Sequence, residues 1–261
     1  MSRRWQWLGG IGVGIVSYLV ALAVTIPAGF AWSYAGDRVR GQLHRPLGTI
    51  QQGSAQAFSA GSLVMREPRW SWQPGALLAG GLSWSVAGRL SGGQIDAEVG
   101  YGLDGLMVRD IRGQASAAEL LRVLAMSATA DAVAGRVELA FDELWLRHGR
   151  PVGAIGMIRW RDAQVGPNQR LALGDVHLSL KPQSGQDAVK GELEARGGAI
   201  EFNGDLRLAA DGRFELTLNM LDGAENDAVG RQLHRLLETA SSPGEPLAIR
   251  GRLGPDGLSL E

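Results

Sequence analysis

Four histidines, His44, His148, His177 and His234, are the residues best suited to proton transfer or metal ligation. They are scattered, and no two fall at HExxH spacing. His177 takes the alternation slot of Asp175 and Ser179, which reads as a solvated strand histidine. His234 falls beside Arg231 and Arg235 on the charged side of a helical pattern. Carboxylates occur in close pairs, Asp142 with Glu143 and Glu192 with Glu194. Glu192 and Glu194 share one strand face, a geometry that acid–base catalysis can use. The same spacing is also what the solvent side of an antiparallel strand looks like, and that is the reading favoured here. No GxSxG elbow, phosphate-binding loop or EF-hand loop is present in the sequence. Cysteine is absent, which excludes disulfides, thiolate catalysis and cysteine-held metals. The sequence therefore assigns no catalytic, cofactor-binding or metal-ligating residue.

Arg69-Trp70 and Arg159-Trp160-Arg161 set cations beside aromatics, as nucleic-acid stacking surfaces do. The chain has 26 basic and 27 acidic residues and a net charge of −1, too balanced for a strong grip on phosphates. Packing of these tryptophans in a β-core is the better account, and no nucleic-acid partner is expected.

From about Thr49 onward the apolar residues recur with period two, the signature of strands with one face on a core. Trp70 alternates with Trp72, and Leu82, Trp84 and Val86 alternate with serines. Val137, Leu139 and Phe141 continue the pattern, as do Val176, Leu178 and Leu180. Asp104-Gly105, His148-Gly149, Gly197-Gly198 and Asp211-Gly212 separate such runs and supply the positive φ of tight hairpins. The fold class is mainly β (α+β): a curved, mainly antiparallel sheet of hairpins over residues 49–261, with two covering helices. One helix starts at the capping box Ser116-Ala117-Ala118-Glu119. The other starts near Asn226 or Asp227 and repeats Val229, Leu233, Leu236 and Leu237. Each helix follows a hairpin and precedes a strand, which suggests an internal duplication; chance is the alternative.

Residues 1–36 read as a cytoplasmic stub and membrane anchor, and 37–48 as a linker. After Arg3 and Arg4 no charge appears until Asp37. Leu8, Ile11, Ile15, Leu19, Leu22 and Ile26 lie in this apolar run, which exceeds the roughly 20 residues a spanning helix needs. Arg3 and Arg4 bias the N-terminus toward the cytoplasm, so the β-rich domain is expected in the periplasm. Trp5, Trp7, Trp32 and Tyr34 flank the run as interfacial aromatics. A cleaved signal peptide is the competing reading, but its apolar core spans only about 7–15 residues. Gly10, Gly14, Ser17 and Ala21 place small residues on one side of the anchor, a helix-packing face or simply the yield of a glycine-rich sequence.

The order of these segments resembles type II secretion system protein N. The resemblance rests on Pro68-Arg69-Trp70-Ser71-Trp72-Gln73-Pro74-Gly75 and on Gly156-Met157-Ile158-Arg159-Trp160. It also rests on Leu173-Gly174-Asp175-Val176, the Asp211-Gly212 hairpin and the closing strand Ile249-Arg250-Gly251. Gln51 and Gln52 stand where that family often has an aromatic residue. The resemblance implies a non-enzymatic accessory subunit at the bacterial inner membrane. Its partners would be the secretin and the inner-membrane platform proteins. It also implies a distant similarity to AsmA-like envelope proteins, and with it an alternative role in binding membrane lipid. Oligomeric state and binding face are not legible.

Overall fold

The computed structural model describes residues 25–39, 41–60, 63–79, 81–90, 93–102, 105–123, 130–147, 150–166, 170–183, 188–220, 246–254 and 257–260. Leu8, Ile11, Ile15, Leu19 and Leu22 of the expected anchor lie outside these residues, as do Gly10, Gly14, Ser17 and Ala21. So does the helix expected from Asn226 onward. Among the described residues no helix is long and apolar enough to cross a membrane.

Helix α1 (Ala28–Val39) comes first. Short strands follow: β1 (Gln42–His44), β2 (Leu47–Gly48), β3 (Gln52–Ser54) and β4 (Ala57–Ala60). The long strands are β5 (Leu63–Trp72), β6 (Leu82–Leu90), β7 (Gly93–Gly102) and β8 (Gly105–Ser116). After helix α2 (Ala117–Val123) come β9 (Val133–Arg147), β10 (Arg150–Val165), β11 (Leu171–Pro182) and β12 (Ala188–Arg196). The last four are β13 (Phe202–Ala209), β14 (Arg213–Met220), β15 (Leu247–Gly254) and β16 (Gly257–Leu260). All sixteen join one sheet, and from β4 to β16 each strand pairs with the next in sequence. Every pairing is antiparallel, so the expected meander is present over its whole described length.

Register makes the sheet two-sided, because opposed residues share a face. Trp160, Val176, Ala195 and Phe202 lie in one cross-strand row from β10 to β13. Leu178, Leu193, Gly204 and Leu218 form the next row on the same face. Toward the start of the sheet, Leu43, Phe58 and Met65 share that face, as do Trp70 and Val86, and Trp72, Trp84 and Val99. The other face carries Arg69, Asp96, Arg112, Glu138, Arg159, His177, Glu194 and Asp205. Period-two alternation in the sequence thus becomes one apolar face and one mainly charged face, the latter also carrying Met107, Trp145 and Met157.

The apolar face is thinly covered. Its deepest residues are small, with Ala115, Ala163 and Ala195 fully buried, and Val189 is the one large side chain below 2% exposure among the described residues. Leu178, Leu193, Leu206, Leu216 and Leu218 are only half-buried. No polar or charged described residue is buried.

Several register shifts interrupt the ladders, and three of them hold a residue at left-handed φ. Glu67, Asp110 and Asp162 adopt left-handed φ of about 50° at the register shifts of β5, β8 and β10. Such an extra residue bends its strand and shifts the alternation by one position, so that Met65 and Trp70, or Trp160 and Ala163, share a face.

Helix α2 starts where the capping box places it, with the Glu119 N–H donating to Ser116 Oγ at 3.2 Å. Helix α1 begins within the stretch 1–36 that reads as the anchor from the sequence, and continues to Val39. It starts because the Pro27 carbonyl accepts from the Phe30 and Ala31 amides at 3.1 Å each. The stretch 37–48, expected as a linker, holds the end of α1 and the strands β1 and β2. Strands β8 and β9, which flank α2, lie side by side, and β14 and β15 do the same around residues 221–246.

Candidate functional site

At the N-terminal end of the sheet the chain folds back over the apolar face. Ile26, expected as the last anchor residue, lies outside any helix, and its carbonyl accepts from the Ile50 amide at 3.1 Å. Pro27 bridges Thr49 in antiparallel fashion. This seats α1 against β1 and β2, with Trp32 reaching β4. Trp32, expected as an interfacial aromatic, instead packs edge-on against Phe58, with ring centroids 5.7 Å apart at 90°.

A cavity of about 450 Å³ lies between helix and sheet. Its roof is Ala28, Ala31 and Trp32; its floor includes Met65, Trp70, Trp84, Val86 and Val99. Two indole N–H groups of the floor are already engaged, Trp70 Nε1 on the Thr49 carbonyl at 3.0 Å and Trp84 Nε1 on the Ile50 carbonyl at 3.1 Å. The wall therefore presents hydrocarbon and aromatic surface. Sequence reading missed this site because Trp32 and the alanines of α1 continue the apolar N-terminal run without a break in composition. The signal available was Pro27, which can open a helix but disrupts one it interrupts.

The motif residues lie in strands and turns of the sheet. Trp72 pairs with Trp84 across β5 and β6. Pro74 opens the 3-10 turn Pro74–Ala79, where its missing N–H costs nothing. Trp160 packs on the Ala163, Val176 and Ala195 cluster and donates from Nε1 to the Ala134 carbonyl at 2.9 Å. This is the core packing expected for it. Gly174 has φ of 70°, and a Cβ there would strike the Arg196 carbonyl. Gly212, at φ 86°, closes the β13–β14 hairpin. Asp211 accepts from the Arg213 amide at 3.1 Å and from Arg213 Nε at 2.6 Å. The amide, and then the guanidinium, hold the Asp211 carboxyl below its ordinary range.

The carboxylate pairs belong to the charged face. Glu192 lies 3.9 Å from Lys181, and Glu194 pairs with Arg196. Asp142 meets Arg112 at 2.7 Å, and Glu143 meets Arg109 at 3.9 Å. Arg159 and Arg161 straddle Glu138, at 3.9 and 3.0 Å. His177 accepts a long hydrogen bond from Arg159 Nε at 3.4 Å, and His44 Nε2 lies 3.2 Å from Ser59 Oγ. His148 and His234 lie outside the described residues. Among the described residues no three His, Asp or Glu side chains converge on a metal-sized site.

A single antiparallel sheet with one charged face, one apolar face and a capped hydrocarbon-lined cavity defines a protein built around surfaces. The chain belongs to the family described as Type II secretion system (T2SS), protein N, whose model matches residues 40–250. That span covers β1 to the first half of β15 and leaves α1 just outside. Among curated proteins and among solved structures nothing matches the chain. Membership makes the protein an accessory component of type II secretion, a family of the secretion machinery not known for enzymes.

Proposed function

We propose that the protein is a non-enzymatic assembly subunit held in the inner membrane by residues 1–36, with its β-domain in the periplasm against the secretin and the inner-membrane platform proteins. The family match over residues 40–250 carries this reading. The apolar run from Trp5 to Ile26 and the basic Arg3 and Arg4 support the topology. A deletion strain tests it: type II substrates should accumulate in the periplasm and return to the medium on complementation. Normal export in the deletion strain sinks the proposal.

A second reading is lipid handling of the AsmA-like kind. The observation favouring it is the apolar face, which continues across the sheet with its large side chains half-buried. Native mass spectrometry after gentle extraction tests it; a protein that carries no lipid counts against it. The paired arrangements β8–α2–β9 and β14 to β15 also support an internal duplication that lengthens this face.

A further inference from the structure

We infer that the cavity beneath α1 is a binding site for a single acyl chain of a membrane lipid, entered from the bilayer at the N-terminal end of the sheet. The inference rests on the membrane-anchored reading proposed above.

Three observations carry it. The first is chemical. The cavity is walled by Ala31, Trp32, Met65, Trp84, Val86 and their neighbours, and the Trp70 and Trp84 indole N–H groups are already bonded to Thr49 and Ile50. A polar ligand would lose its water and find no partner there, whereas a hydrocarbon loses nothing. Its volume of about 450 Å³ is that of a small-molecule site rather than a packing defect.

The second is position. The apolar run of the sequence ends at Ile26, whose carbonyl is bonded to Ile50, and Ile50 is itself part of the cavity wall. A spanning helix ending there would set this end of the sheet at the lipid surface.

The third is exposed apolar surface at that same end. Leu82 and Tyr101 face each other at the ends of β6 and β7, 42% and 63% exposed. Leu77 stands in the 3-10 turn between β5 and β6 at 52%, and Phe30 on the first turn of α1 at 61%. Val64 and Met157 are exposed elsewhere on the sheet, but Phe30, Leu77, Leu82 and Tyr101 add apolar surface near the cavity, which fits contact with an interface.

The test uses the full chain in lipid nanodiscs containing a phosphatidylglycerol with a photoreactive diazirine at the end of one acyl chain. Adducts are mapped by peptide mass spectrometry. The expected result is labelling of cavity residues, in peptides spanning Met65, Trp84 to Val86 and Val99, as well as of residues 5–26. Val86→Trp fills the cavity from the floor and Ala31→Phe fills it from the roof. Each should reduce cavity labelling at least tenfold and leave labelling of residues 5–26 unchanged. The two act from opposite walls, so a folding failure in one leaves the other to decide. Labelling confined to residues 5–26 overturns the acyl site and keeps the anchor. Cavity labelling without residues 5–26 keeps the site and overturns the anchor. Labelling of neither overturns both.

Discussion

Trp70 and Trp84 each present a ring to the apolar cavity and spend their one donor on adjacent carbonyls of the 49–50 turn. Replacing Trp84 by Phe keeps most of the ring and removes the bond, which should cost about 1 kcal/mol in chemical denaturation. An unchanged midpoint would show that the bond contributes nothing. Gly174→Ala is expected to cost well over about 1 kcal/mol, because a left-handed φ and a carbonyl collision act together. Asp211 offers a pH test. Its carboxyl is lowered in the folded chain by the Arg213 amide and guanidinium. Its contribution is therefore complete above the ordinary carboxylate range and disappears as the pH falls through the lowered value. Melting temperatures of the wild type and Asp211→Asn should differ at neutral pH and converge in strong acid. The Asp211-Gly212 turn is legible from the sequence because its chemistry is local. The partners of Trp70 and Trp84 are not, since the carbonyls they seek lie 21 and 34 residues away.

Elements follow the same division. The long strands β5 to β14 are legible because one half-buried face imposes period two on the sequence. The bulges are not, since Glu67, Asp110 and Asp162 have no composition that marks them. Each holds a non-glycine residue at left-handed φ, a conformation costly for L side chains. Glu67→Gly should therefore stabilise the protein by about 0.5–1 kcal/mol, read as a raised denaturation midpoint. A loss of that size would mean that the Glu67 side chain makes a compensating contact. Helix α2 is legible from its capping box, and Ser116→Ala should cost about 1 kcal/mol through the lost bond to Glu119. Helix α1 escapes because Ala28 to Tyr34 extends an apolar run that already reads as membrane anchor. Only tertiary contact, Trp32 on Phe58 and Ile26 on Ile50, draws it onto the sheet.

At the scale of the molecule, the sixteen strands among the described residues form one sheet whose charges gather on one side and most of whose hydrocarbon lies on the other. The charged side is a mesh of exposed ion pairs, such as Arg112 with Asp142 and Lys190 with Asp205. Each contributes about 0–1 kcal/mol at most, so the mesh sets solubility more than stability. The apolar side gives the fold its one-sided pattern, and its capped end gives the protein a cavity. Which surface meets the secretion machine is not written in the sequence, because alternation specifies a face without naming what covers it. The most direct measurement is co-purification of the tagged full-length protein from mild-detergent membranes, with partners identified by mass spectrometry. Recovery of the secretin or of inner-membrane platform proteins is the predicted result. Recovery of lipid with no component of the machine would contradict the account.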